Sequence, residues 1–186
     1  MELSFEQKLA RNIKQLHHSS CEYFIFGDSM VARFQDYGTG RGLLSSHRFI
    51  NIAVGGSTVH DWNSAFHTLE HAFSQIKIEK GLVLMLGTND IALSASDLHD
   101  RFTDLICKCH FKSKKPIFVL SVLHRRDNPE LNDKIDGLNA FLNGLSFSWL
   151  HYQDVMQLSS YLDTDLLHLT REGYEQFAQV LLEILK

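Results

Sequence analysis

Glu22-Tyr23-Phe24-Ile25-Phe26-Gly27-Asp28-Ser29-Met30 is the stretch that decides the fold. It is a compact apolar run stopped by glycine. A run this short is too brief for a helix and reads as a strand buried on both faces. The pattern returns along the chain. Residues 48–54 run apolar into Gly55-Gly56, and residues 82–86 run into Gly87-Thr88-Asn89-Asp90. Pro116 precedes a fourth run over 117–123, and 149–152 form a short fifth.

Helical spacing fills the intervals. Leu9, Ile13 and Leu16 predict a helix over 3–16. One helix is expected from Thr58 to about Ile78. Others are expected over 96–111 (Leu98, Phe102, Leu105, Ile106) and over 131–145 (Ile135, Leu138, Leu142, Leu145). A last one covers 171–186 (Tyr174, Phe177, Leu181, Ile184). The three glycines in 37–42 read as a mobile turn, because their spacing fits no dinucleotide fingerprint. Residues 124–130 form a polar loop, and 159–169 read as mostly irregular. Buried strands alternating with helices imply a parallel sheet covered on both faces. The expectation is a three-layer α/β/α sandwich of about five strands, flavodoxin-like, with right-handed crossovers. The 186 residues suit one domain, 1–186, with 1–20 as an N-terminal helical extension.

Composition narrows the function. A formal charge of −4 gives no electrostatic reason to expect nucleic acid or an anionic membrane surface. No stretch approaches the ~18 apolar residues of a membrane span. The start Met1-Glu2-Leu3-Ser4-Phe5-Glu6 lacks a basic, apolar leader, so the expected location is cytoplasmic. Cys21, Cys107 and Cys109 are too few and odd in number for a disulfide framework. His67-Thr68-Leu69-Glu70-His71 fits the H-x-x-E-H pattern of some zinc peptidases. Zinc catalysis needs a third protein ligand, and the sequence identifies none. Neither a metal nor another cofactor is expected.

In open parallel sheets, ligands bind beyond the carboxyl ends of the strands. Here those ends carry Gly27-Asp28-Ser29-Met30, Gly55-Gly56-Ser57-Thr58 and Gly87-Thr88-Asn89-Asp90, and Asp165-Leu166-Leu167-His168 comes near the C-terminus. A serine hydroxyl is a poor nucleophile until a base takes its proton, and His168 can be that base for Ser29. Asp165 is near enough in sequence to accept from the far ring nitrogen, fixing the tautomer. Asp163 is a rival for that place. Three donors can meet an oxyanion: the backbone N–H groups of Ser29 and Gly56, and the side-chain amide of Asn89. Taken singly, Ser29 could be a helix cap and Asn89 a turn residue. Asp165 could be a solvated loop residue and His168 a surface imidazole. No G-x-S-x-G elbow surrounds Ser29, which disfavours the α/β-hydrolase fold.

These four blocks, in this order, resemble the SGNH/GDSL hydrolases. Gly27-Asp28-Ser29-Met30 is similar to the GDS(L) block, and residues 51–58 to the glycine block with Gly56 at the oxyanion position. Gly87-Thr88-Asn89-Asp90 matches the GxND block, and Asp165-Leu166-Leu167-His168 the DxxH block. The likeness spans residues 23–186. Ala53 stands where many members have Gly, and Met30 replaces the usual Leu. The resemblance implies a serine esterase with Ser29, Asp165 and His168 as its triad. It implies Ser29, Gly56 and Asn89 as the oxyanion donors, and favours Asp165 over Asp163. The substrates implied are small-molecule or carbohydrate esters, lysophospholipids or thioesters. The compact length leaves little room for a lid over a long chain, so acetyl or another short acyl group is expected. Acyl transfer by the same triad, or a non-catalytic binding module, are the alternatives. Arg33, Trp62, Ile91 and His124 are candidates to line the pocket.

Overall fold

A computed structural model describes residues 3–16, 20–46 and 48–185. Five strands form one sheet: β1 (Ser20–Gly27), β2 (Phe49–Asn51), β3 (Lys77–Met85), β4 (Ile117–Leu120) and β5 (Leu150–Gln153). Their order is β2-β1-β3-β4-β5 and every pairing is parallel. This is the expected three-layer α/β/α sandwich with flavodoxin-like strand order. The apolar runs become strands because both faces of the sheet are covered.

One face carries α1 (Phe5–Lys14), α4 (Val59–Ser64), α5 (Phe66–Gln75), α6 (Ala95–Ser113) and α7 (Asn132–Gly144). Its core includes Phe24, Phe26, Trp62, Leu84 and Phe102, all fully buried. The other face carries α2 (Ser29–Ala32), α3 (Gly38–Ser45) and α8 (Arg171–Ile184), over Ile25, Phe34, Val83 and Phe177.

Several boundaries differ from the sequence reading. The helix expected from Thr58 to Ile78 is two helices that break at Ala65, whose backbone leaves the helical region (φ −97°, ψ 23°). The strand expected to start at Leu82 begins at Lys77, because Lys77 and Ile78 pair with Ser20 and Cys21 of β1. Only Ile78 of its first four residues is buried, so the apolar signal is weak there. Residues 38–45 are helical where a mobile turn was expected. Leu43 is buried against the α8 face, and this packing overrides the poor helix propensity of glycine. The second strand shrinks to three residues, yet Ile52 and Val54 still donate to the Ile25 and Gly27 carbonyls beside it. Residues 156–161 form a 3-10 turn that runs into the start of the segment read as mostly irregular.

Cys21 and Cys109 are buried and Cys107 is half-buried, all as free thiols. No helix among the described residues is long and apolar enough to cross a membrane. Of the extension expected over 1–20, residues 1, 2 and 17–19 lie outside the described residues. So does Lys186 at the expected end of the last helix.

Ser4 starts α1 with a capping box: its hydroxyl accepts the Gln7 N–H, and the Gln7 carboxamide accepts the Ser4 N–H. Leu9 is then fully buried in the core, and Asn12 donates to the Ala53 carbonyl at 3.0 Å. Helix α1 is therefore packed onto the sheet layer. Leu9→Ala should lower the free energy of unfolding by about 2–5 kcal/mol. Urea denaturation followed by circular dichroism measures it, and an unchanged midpoint would show that α1 contributes nothing to the core.

Candidate active site

The turn after β1 is set by backbone contact. A Cβ on Gly27 would lie 2.0 Å from the Met85 carbonyl oxygen of β3, so no side chain fits there. Asp28 then caps the single turn of α2, its Oδ1 accepting the Met30 N–H at 3.0 Å. This leaves Ser29 half-buried just beyond the carboxyl end of β1.

Ser29 meets the C-terminal block. His168 Nε2 lies 2.8 Å from Ser29 Oγ, across 139 residues of chain. His168 Nδ1 lies 2.7 Å from Asp165 Oδ2. Asp165 Oδ1 accepts the backbone N–H groups of Leu167 at 3.1 Å and His168 at 2.8 Å. Burial pushes the Asp165 carboxyl up, but these N–H groups and the imidazole outweigh it and hold it at about 2. An ionised carboxylate only accepts, so Nδ1 carries the proton toward Asp165 and Nε2 faces the serine as acceptor. Asp163, the rival in sequence, turns its carboxylate to the Thr164 N–H instead.

The other two blocks are tied to the first. Ser57 Oγ donates to the Gly27 carbonyl at 3.1 Å and accepts the Trp62 indole N–H at 3.0 Å. The Ser57 carbonyl accepts one N–H of the Asn89 amide at 2.9 Å, leaving the second amide hydrogen for another acceptor. Gly56 adopts φ +77°, and Gly55 packs next to Ser29, where an added Cβ would sit 3.8 Å from the serine Cβ. Among the described residues, the N–H groups of Ser29 and Gly56 donate to no protein acceptor. The structure thus joins Ser29, His168 and Asp165 in one hydrogen-bonded series, and through Ser57 it ties the Gly27 and Asn89 blocks to the loop that carries Gly56.

Sequence reasoning missed the organisers. Ser57 links three blocks, and Asp90 caps α4 by accepting the Val59 N–H on both oxygens at 3.0 Å. The serine after two glycines was the available signal for Ser57, but nothing in the sequence gives its partners. Of the four pocket candidates, Trp62 is wholly buried and serves Ser57, so it does not line a pocket. Arg33 lies 3.5 Å from Asp165 Oδ2. His124 pairs with Asp136 at 2.7 Å. Ile91 is buried beneath the Asn89 loop and borders a recess between α6 and α7. In the zinc-like pattern, His67 pairs with Glu6 at 3.0 Å and Glu70 with Lys112 at 2.5 Å. Among the described residues, no group of three His, Cys, Asp or Glu side chains could hold a metal ion. Met30 packs in the core as the usual leucine would.

Two buried acids flank the serine turn. Burial pushes Asp28 up to about 6 against the pull of the Met30 N–H and of Thr88 beside it. Its Oδ2 is buried with no partner in hydrogen-bonding geometry. Burial likewise raises Asp90 to about 6, helped by the neighbouring Asp28 and opposed by the Val59 N–H. A carboxyl whose folded pKa exceeds the ordinary 3.8 holds its proton more tightly when folded. Its stabilising contribution is complete below 3.8 and is lost as pH rises through about 6. Asp28→Asn retains an acceptor for Met30 and removes this titration. The variant should therefore lose less stability than the parent between pH 4 and 7. Urea titrations at both pH values read the difference, and equal losses would show that Asp28 does not titrate in that window.

Solved structures share this fold. A GDSL-like lipase from Bacteroides thetaiotaomicron superposes with a TM-score of 0.79 at 15% identity, covering 97% of each chain. A member of the lipolytic protein G-D-S-L family from Veillonella parvula gives 0.64 at 18% identity, over 88% of this chain and 97% of that one. The C-terminal catalytic domain of peptidoglycan O-acetyltransferase A from Streptococcus pneumoniae, solved with a methylsulfonyl adduct, gives 0.66 at 13% identity, over 88% and 92%. No family model matches the chain, and no curated protein matches it in sequence. The resemblance read from four short blocks is therefore met at the level of the fold: this chain has the three-layer α/β/α architecture of solved structures named for the GDSL lipases.

Proposed function

We propose that the chain is a carboxylic ester hydrolase of the SGNH/GDSL type, acting through an acyl-enzyme on Ser29. The observation that carries the reading is the hydrogen-bonded series Ser29, His168, Asp165, at 2.8 and 2.7 Å. As Ser29 Oγ attacks the ester carbonyl, its proton passes to His168 Nε2 and the carbonyl electron pair moves onto oxygen. The N–H groups of Ser29 and Gly56 and the second Asn89 amide hydrogen receive that oxyanion. Re-forming the carbonyl breaks the bond to the leaving oxygen, which takes the proton from His168. Water then repeats the sequence on the acyl-enzyme, releasing the acid and restoring the serine. Asp165 stays ionised and stabilises the imidazolium at each protonated stage.

Acetyl and other short acyl esters of carbohydrates or small molecules are the substrates the sequence favours, with lysophospholipids and thioesters also implied by the resemblance. Acyl transfer is the second reading. It is supported by the likeness to the O-acetyltransferase domain and differs only in whether water or another hydroxyl resolves the acyl-enzyme. Product analysis with and without sugar acceptors separates the two.

Ser29→Ala should abolish turnover of p-nitrophenyl acetate with an unchanged circular dichroism spectrum, and a fluorophosphonate probe should label Ser29 in the parent alone. Undiminished activity in the variant would overturn the assignment. Asn89→Ala should lower kcat by about 10²–10³. Only a neutral imidazole can accept the serine proton, so His168 must be uncharged when attack begins. Asp165, held at about 2 by its hydrogen bonds, stays a carboxylate beside it.

A further inference from the structure

Two recesses open on the sheet face away from His168. Leu169 and Tyr174, which follow His168 in the chain, pack on the side covered by α2, α3 and α8. The first recess, of about 250 Å³, is bordered by Asn89, Thr58, Ala92 and Leu93. The second, of about 320 Å³, lies between α6 and α7 and is bordered by Ile91, Leu93, Leu98 and Leu138. Ser29, Gly56 and His168 border neither recess. The link from the second to the chemistry is Leu93, which borders both recesses, and Asn89 in the wall of the first.

The chemistry of the triad fixes which part of an ester points there. His168 Nε2 must hand its proton to the leaving oxygen, so the leaving group lies on the His168 side of the tetrahedral carbon. The oxyanion faces Gly56 and Asn89. The remaining substituent, the acyl chain, points away from His168 and past Asn89. That path begins in the first recess and crosses Leu93 into the apolar floor of the second. Polar and charged side chains also border these recesses, His60, Asp90 and Arg101 at the first and Asp133 and Lys134 at the second.

We propose that the two recesses meeting at Leu93 form the acyl-binding site, and that it takes an aliphatic acyl group longer than acetyl. The proposal rests on the esterase reading of Ser29 and His168. It replaces the expectation of short acyl groups, which assumed that a longer chain needs a lid. Here helices α6 and α7 supply the walls. The volume of the second recess falls in the range of small-molecule sites.

The test is a series of p-nitrophenyl esters from acetate to octanoate, read as kcat/KM. Each methylene that enters the recess should raise kcat/KM roughly fourfold until the recess is full. Gly137 of α7 borders the second recess, and a Cβ added there meets no atom within 4 Å. Gly137→Phe should lower the octanoate-to-acetate ratio by about tenfold, the value of one to two methylenes. Its melting curve reports folding, and the parent series stands without it. A flat or falling series in the parent, or an unchanged ratio in the variant, would overturn the acyl site while acetate turnover leaves the esterase reading standing. Failure of every ester, together with no labelling of Ser29, would remove both.

Discussion

A parallel sheet returns the chain to the same edge at the end of every strand, and this return makes a site from residues far apart in sequence. The β1–β3 pairing is the centre of it. These strands align from Ser20 with Lys77 to Gly27 with Met85, so the turns that follow them start side by side. The closest approach is at Gly27, where the Met85 carbonyl leaves no space for a side chain. A bulkier residue would push the serine turn off the sheet edge. The Ser29 hydroxyl would then lose the position from which it meets an imidazole 139 residues away.

The loops beyond that edge are held by polar groups that have given up water. Ser57 both donates and accepts through its hydroxyl while its carbonyl orients Asn89. Asp90 spends both oxygens on the first turn of α4. Buried polar groups stabilise a loop only when satisfied, and an unsatisfied one is costly. Most of this network meets that condition. The exception is Asp28 Oδ2, beside the serine turn itself, where burial raises the carboxyl to about 6. The acid end of the pH range relieves that burial cost at Asp28, whereas it removes the charge that Asp165 holds toward His168.

The legible part of this molecule is the part written in local sequence. Short apolar runs stopped by glycine are distinct from helix, so all five strands and their shared edge could be read. The four blocks at that edge gave every residue of the proposed triad and oxyanion hole. The strand start at Lys77 was hidden because Lys77, Glu79 and Lys80 are exposed, and only pairing with β1 makes them strand. Helix α3 was hidden because glycine propensity argues against it, and only packing makes it helical. Ser57 to Gly27, Asp90 to Val59 and Arg33 to Asp165 are contacts between residues 30 or more apart, and no local pattern encodes them.

The loop carrying Asp165 and His168 is stiffened in a way that bears on its chemistry. Leu166 adopts φ 59°, a left-handed conformation that costs a branched side chain roughly 1–2 kcal/mol. The turn is nonetheless held from both sides. The Leu166 N–H donates to the Asp163 carbonyl at 2.8 Å, and its carbonyl accepts the Arg126 N–H at 2.8 Å and the Asp127 N–H at 3.3 Å. Arg125 and Asp127 pair within that bracing segment. The left-handed residue turns the chain so that the Leu167 and His168 N–H groups both point back at Asp165 Oδ1. That leaves Oδ2 for the imidazole, at a distance set by backbone geometry and not by a free side-chain torsion. Strain at one residue is thus coupled to the orientation of the base, and the segment after β4 supplies the contacts that maintain it.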